Sequence, residues 1–75
     1  MADDPTYKQQ AQNILRGELK RKGMTYQTLA EALAARGVQE TEKNLANKIS
    51  RGSFTASFFL QCLAVMGVKR IELDE

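Results

Sequence analysis

The 75-residue sequence has no His, no Trp, one Cys and one Pro. Without an imidazole, no side chain has an ordinary pKa suited to acid–base work near neutrality, and mixed Cys/His metal cages are excluded. Cys62 has no second cysteine with which to close a disulfide. It lies in the apolar run Phe58-Phe59-Leu60-Gln61-Cys62-Leu63, where a thiol packs as a small hydrophobe. No stretch approaches the roughly 20 apolar residues that cross a bilayer. The N-terminus is acidic and lacks the apolar core of a secretory signal, so the expected location is cytoplasmic, with no membrane contact. Ser50, Ser53 and Ser57 have no base to activate them, the carboxylates show no metal-site spacing, and no glycine-rich phosphate loop follows a strand. The expectation is a protein that is not an enzyme and uses neither metal nor cofactor.

What remains is an ordinary globular composition, 43% hydrophobic and 27% charged. The length allows one domain spanning 1–75, with residues 1–4 and 74–75 expected as flexible ends. A core of this size is thin, which favours self-association, and a homodimer is expected. The formal charge of +2 conceals an uneven distribution, because Asp3, Asp4, Glu72, Asp74 and Glu75 crowd the ends. Between residues 5 and 71, eleven Lys and Arg stand against four acids, a surplus of seven positive charges. Such a body suits a polyanion, since neutralised phosphates release counterions; it equally suits a soluble protein that never meets one.

Gly23, Gly37, Gly52 and Gly67 each follow an apolar-periodic stretch, where a left-handed C-cap belongs, while Gly17 falls inside one. Asp4-Pro5 supplies an N-cap acid and a first-turn proline, so a helix is expected over about 5–22 with Tyr7, Ala11, Ile14, Leu15 and Leu19 inward. Thr25 caps a second helix over about 26–36, with Tyr26, Leu29, Ala30 and Leu33 inward. Thr41 caps a third over 42–51, with Leu45, Ala46 and Ile49 inward. Thr55 caps a fourth over 56–66, the most apolar, with Phe58, Phe59, Cys62, Leu63 and Met66 forming a wide stripe. The tail from Val68 to Leu73 partly alternates and reads as a strand, or as an extended segment packing Ile71 and Leu73 back on the domain. The fold class is all-α, a compact bundle of four to five helices.

Two consecutive helices joined by a glycine-containing turn fit the helix-turn-helix plan. The residues Leu19-Lys-Arg-Lys-Gly23-Met24-Thr25-Tyr-Gln-Thr-Leu29-Ala30-Glu31 resemble the opening of the phage-repressor-like helix-turn-helix family, of the Cro and repressor type. Ile49-Ser50-Arg51-Gly52 is similar to that family's recognition-helix ending, and Phe58, Leu60, Leu63 and Met66-Gly67-Val68 to its fourth helix. The resemblance spans about residues 15–71 and implies a lambda-repressor-like fold, double-stranded DNA as partner and transcriptional regulation in a bacterium. Two departures stand out: the segment between Ala30 and Arg51 is several residues longer than the family's spacing, and Glu40 and Glu42 stand where phosphates would approach. The block Asn44 to Leu63, with Ser50-Arg-Gly-Ser-Phe54 and Ser57-Phe-Phe-Leu-Gln-Cys62, also resembles a small bacterial domain family without an assigned function.

At 100° per residue with Leu45 at zero, Ile49 falls near about 40°, Glu42 near 60° and Ala46 near 100°, toward the domain. Lys43, Asn47, Arg51 and Asn44 fall between about 160° and 260°, on the outer face. Asn pairs with adenine's N6 and N7, and Arg or Lys with guanine's O6 and N7, so these four are the base-reading candidates. A solvated polar face is the plain alternative. Phosphate-positioning candidates are Thr25, Tyr26 and Gln27 at the start of helix two, with Lys48 and Ser53; Tyr26 reads equally well as packing, and Thr25 and Ser53 as capping. Lys20 to Lys22 add charge only. Phe54, Phe58 and Phe59 fall within six residues, too many rings for one thin core, so with Ile71 and Leu73 they are the dimer-interface candidates; equally, Phe54 staples the turn and the other two are core. The rival to a DNA-binding homodimer is a protein-interaction module that docks a partner on the aromatic face of helix 56–66. RNA binding lacks its usual aromatic stacking platforms.

Overall fold

A computed structural model describes residues 5–73, and four helices account for most of them: α1 (Pro5–Arg21), α2 (Tyr26–Ala34), α3 (Glu42–Arg51) and α4 (Ala56–Val65). The fold is all-α, and the described residues contain no strand. Helix starts fall where a threonine satisfies the unpaired amides of a first turn. The Thr41 hydroxyl accepts from the Asn44 amide at 3.0 Å, and that of Thr55 from the Phe58 amide at 3.0 Å. Thr25 goes further. Its hydroxyl accepts from the Thr28 amide at 3.2 Å while its own amide donates to the Thr28 hydroxyl at 2.8 Å, a reciprocal box closed by two threonines. The proposed N-cap of α1, Asp4, lies outside the described residues, as do both expected flexible ends, 1–4 and 74–75.

Three helices end the same way. Met24, Val38 and Val68 donate back to the carbonyls of Leu19, Leu33 and Leu63 at 2.8, 3.0 and 2.9 Å, closing the last turns of α1, α2 and α4. The preceding residue in each case is a glycine at φ 67° to 81°. This is the bond pattern in which a left-handed glycine reverses the chain and an apolar residue beyond it folds back on the helix. The helices stop one or two residues short of the sequence expectation at Lys22, Arg36 and Met66, because these positions already belong to the closing turn.

The core gathers the leucines at those closures with the centre of each helix: Leu15, Leu19, Leu29, Leu33, Leu45, Ile49, Phe58, Cys62, Leu63 and Met66 are all buried. Helix α2 packs on α3 and α4, and α1 packs across α3 and α4 from the other side. Ile14, Met24, Tyr26, Ala30, Phe54, Phe59 and Val68 surround this centre half-buried. Inward expectations fail for Tyr7 and for the tail. Tyr7 is 54% exposed, because the 17-residue α1 outruns its partners of nine or ten residues and its first turns project past the core. At the other end the tail is neither a strand nor packed back: Val68 reaches the core, but Ile71 is 39% and Leu73 63% exposed.

Candidate nucleic-acid interface

Helix α3 is divided sharply by its own periodicity. Leu45 and Ile49, four apart, are wholly buried and point its inner side into the domain. Lys43, Asn44, Asn47 and Arg51 are all exposed, on the opposite arc that the angular arithmetic assigns to them. The structure thus brings the four base-edge candidates together on one outward face. Glu42 departs from its expected inward projection and is exposed, because it stands in the first turn, where the helix has not yet met its neighbours. Its charge there complements the positive end of the helix.

The far end of α3 is closed differently from the other three. Gly52 adopts φ 69° and its amide reaches the carbonyls of Lys48 and Ile49, but no residue beyond it donates back. A side chain from α1 takes that place. The Gln12 amide donates to the Ile49 carbonyl at 2.9 Å and to that of Ser50. A Cβ on Gly52 would stand 3.1 Å from the Gln12 side chain, so the glycine also makes room for the clamp. Sequence reasoning overlooked Gln12. Its signal was a polar residue three positions before Leu15 and seven before Leu19, on the stripe that faces the core, where an amide has to find a partner.

Lys48 and Glu40 are held by one another. The Lys48 ammonium lies 2.5 Å from a Glu40 carboxylate oxygen and 4.8 Å from the centre of the Phe58 ring. The carboxylate is nearly buried, its side chain 10% exposed, so the acid that seemed to obstruct phosphates is neutralised within the fold. The same pairing engages Lys48, which leaves it poorly placed as a phosphate ligand. Beside them the Cys62 thiol is wholly buried, and its pKa is pushed up to about 12, first by burial and then by the Glu40 charge, with Lys48 opposing. The other core-side acid, Glu18, is 6% exposed and bonds Arg21 at 2.6 Å. Two of the four internal acids are therefore matched inside the structure.

The remaining candidates divide. Thr25 serves as the α2 cap, Tyr26 is half-buried against the core, and Gln27 is exposed. Ser53 is exposed and lines a hollow with Lys8, Lys48, Phe54, Thr55 and Phe58. The three phenylalanines pack on each other: the Phe54 ring lies 5.5 Å from Phe58 and stacks on Phe59 at 6.0 Å, with planes 8° apart. Phe54 immediately precedes the Thr55 cap and Phe59 is the fourth helical residue, so the pair forms a hydrophobic staple that fixes how the chain enters α4. Phe58 is 5% exposed and has no surface to offer a partner. Leu60, at 62%, is the apolar side chain that sequence reasoning left out of the interface set.

Among the described residues no cluster of three His, Cys, Asp or Glu is placed to hold a metal ion, and no helix is long and apolar enough to cross a membrane. The molecule is thus a small all-helical domain with one helix held on its inner side and at its C-terminal end and turned polar side outward. The chain belongs to the family described as a domain of unknown function, DUF6471, whose profile matches residues 7–71. No curated protein and no solved structure matches it.

Proposed function

We propose that the domain binds double-stranded DNA as a homodimer, reading base edges with Lys43, Asn44, Asn47 and Arg51 of α3, and acts as a transcriptional regulator. One observation carries the reading: α3 is anchored on its inner side and at its C-terminal end, and all four of its base-matching side chains are free of the interior. A helix held rigidly with Asn and Arg outward suits a major groove, where such side chains discriminate bases by about 1–3 kcal/mol per contact. The phage-repressor resemblance at Leu19–Glu31 and Ile49–Gly52 supports it, as does the basic surplus of residues 5–71. Glu18 pairs with Arg21 and Glu40 with Lys48, which leaves the surplus of seven positive charges in residues 5–71 unchanged. In this reading Thr25, Tyr26 and Gln27 at the start of α2, with Ser53 after α3, are the candidates for backbone contacts. Nothing in the arrangement suggests catalysis, and in this reading the protein needs no cofactor.

Selection from a random duplex library tests the proposal, followed by titration of the enriched site at two salt concentrations. The expected result is a palindromic site whose affinity falls steeply with salt, with half-sites about 34 Å apart. Asn44→Ala and Arg51→Ala should abolish sequence preference without lowering the unfolding midpoint. Binding indifferent to sequence at physiological salt would end the reading and favour the polar face as mere solvation.

A further inference from the structure

Three exposed residues of α3 stand in one line. Asn44, Asn47 and Arg51 are spaced three and four apart, so they share a single row along the helix. At 100° per residue they fall within an arc of about 60°, centred almost opposite the buried Leu45 and Ile49, and this row is therefore the crest of the helix. Lys43 stands to one side, about 40° beyond Asn47. On the other flank Lys48 is engaged by Glu40 and the Phe58 ring. The crest itself carries two side-chain amides and one guanidinium, with no carboxylate among them. Its backbone is fixed along its length: the Thr41 hydroxyl accepts from the amide of Asn44 at 3.0 Å, and the Gln12 clamp takes the carbonyl of Ile49 and that of Ser50, next to Arg51.

We infer that this crest specifies the half-site of the proposed DNA target: two neighbouring A·T pairs met by Asn44 and Asn47 and, two pairs beyond the second, a G·C pair met by Arg51. The inference rests on the DNA-binding reading above and names the sequence that reading leaves open. Chemistry fixes the bases. A side-chain amide offers a donor and an acceptor together, which matches N6 and N7 of adenine in the major groove. A guanidinium offers donors only, which suits the two acceptors of guanine, O6 and N7, and sets donor against donor at the adenine amino group. Cytosine presents an amino donor that calls for a carboxylate, and the crest has none. Lys43 is a flexible point charge without a planar fork, so it adds attraction with less discrimination. Spacing fixes the order for a helix lying along the groove. With a rise of about 1.5 Å per residue, Asn47 stands roughly 4.5 Å along the axis from Asn44, and Arg51 about 6 Å further. Against about 3.4 Å per base pair, these steps are nearest to one pair and two pairs, and their sum of about 10.5 Å is close to three.

Selection on a random duplex library, run in parallel for the full wild-type chain, Arg51→Gln and Asn44→Arg, tests the pattern. The wild type should enrich A·T, A·T, any pair, G·C in each half-site, and a wrong pair at any of the three specified positions should lower affinity about tenfold. Arg51→Gln should turn the G·C preference into A·T at that position and leave the other two. Asn44→Arg should turn the A·T preference at the opposite end, three pairs away, into G·C. A switched preference is a gain that a misfolded variant cannot produce, and both substitutions lie at exposed positions. A half-site of another pattern, or preferences that relax in the variants without switching, would overturn this assignment while the DNA-binding reading stands. A wild type that enriches no sequence ends that reading and the assignment with it.

Discussion

Gln12 and Ile49 stand 37 positions apart, and the amide of the first donates to the carbonyl of the second at 2.9 Å. The bond fastens the last turn of α3 to the middle of α1. Replacing Gln12 by Ala removes the donor for two carbonyls and should lower stability in urea by about 1 kcal/mol. Gln12→Glu should cost more, because a carboxylate cannot donate and stands at the negative end of α3. Amide exchange should quicken in the last turn of α3 ahead of the rest; unchanged protection there would show that the clamp is idle. Gly52→Ala meets both a positive φ and the Gln12 side chain, so its penalty of about 1–2 kcal/mol should shrink, without vanishing, in the Gln12→Ala background.

The Lys48–Glu40 pair predicts an asymmetry. Lys48→Met leaves a nearly buried carboxylate without its cation, whereas Glu40→Gln leaves an ammonium that still reaches water and the Phe58 ring. The lysine variant should therefore be the less stable of the two, and the double variant should recover part of the loss, with a coupling of about 1 kcal/mol. Additive losses in a double-mutant cycle would show that the contact contributes nothing.

Two glycines should respond with opposite signs. Gly17 lies inside α1, exposed, and a Cβ there would meet nothing within 4 Å, so Gly17→Ala should stabilise by about 0.5–1 kcal/mol. Gly23, at φ 67°, closes α1 in the left-handed region, and Gly23→Ala should destabilise by about 1 kcal/mol. Thermal midpoints moving in the same direction would contradict the assignment of one glycine to propensity and the other to backbone geometry.

Cys62 sets an alkaline limit. Its thiol ionises at 9.0 when unfolded and is pushed up to about 12 in the fold, chiefly by burial. Below the unfolded value both states keep the proton, and the contribution is fully present. Above it only the unfolded chain releases the proton, so stability falls with rising pH by up to about 1.4 kcal/mol per unit until the folded thiol itself ionises. The stability difference between wild type and Cys62→Ala, followed from pH 8 to 11, isolates this effect, since the other titrating groups are common to both. A flat difference would mean that the thiol is solvated. Thiol reagents should label the native protein only at the rate of opening.

Much of the fold was readable because its punctuation is local. Thr25, Thr41 and Thr55 begin helices, and Gly23, Gly37, Gly52 and Gly67 end them, through bonds spanning only a few residues. The outer face of α3 was equally accessible, since helical periodicity alone separates Asn44 and Arg51 from Leu45 and Ile49. What escaped depends on distance in space. The Gln12 clamp joins elements 37 residues apart, and the Lys48–Glu40 pair needs the turn after α2 to fold onto α3. Tyr7 fits the apolar stripe of α1, and only the lengths of the neighbouring helices decide that the core ends before reaching it. Phe58 read both as part of the apolar stripe of α4 and as an interface candidate, and which of the two holds depends on where α1 and α2 lie.

The division of α3 also bears on how this domain can be altered. Its inward residues and end clamp hold the helix without help from Lys43, Asn44, Asn47 or Arg51, whose side chains make no part of the core. Those four positions can be exchanged as a set while the scaffold persists, so the chemistry of the helix's outer face is separable from the fold that carries it. A library varied at these positions alone should yield folded proteins almost throughout.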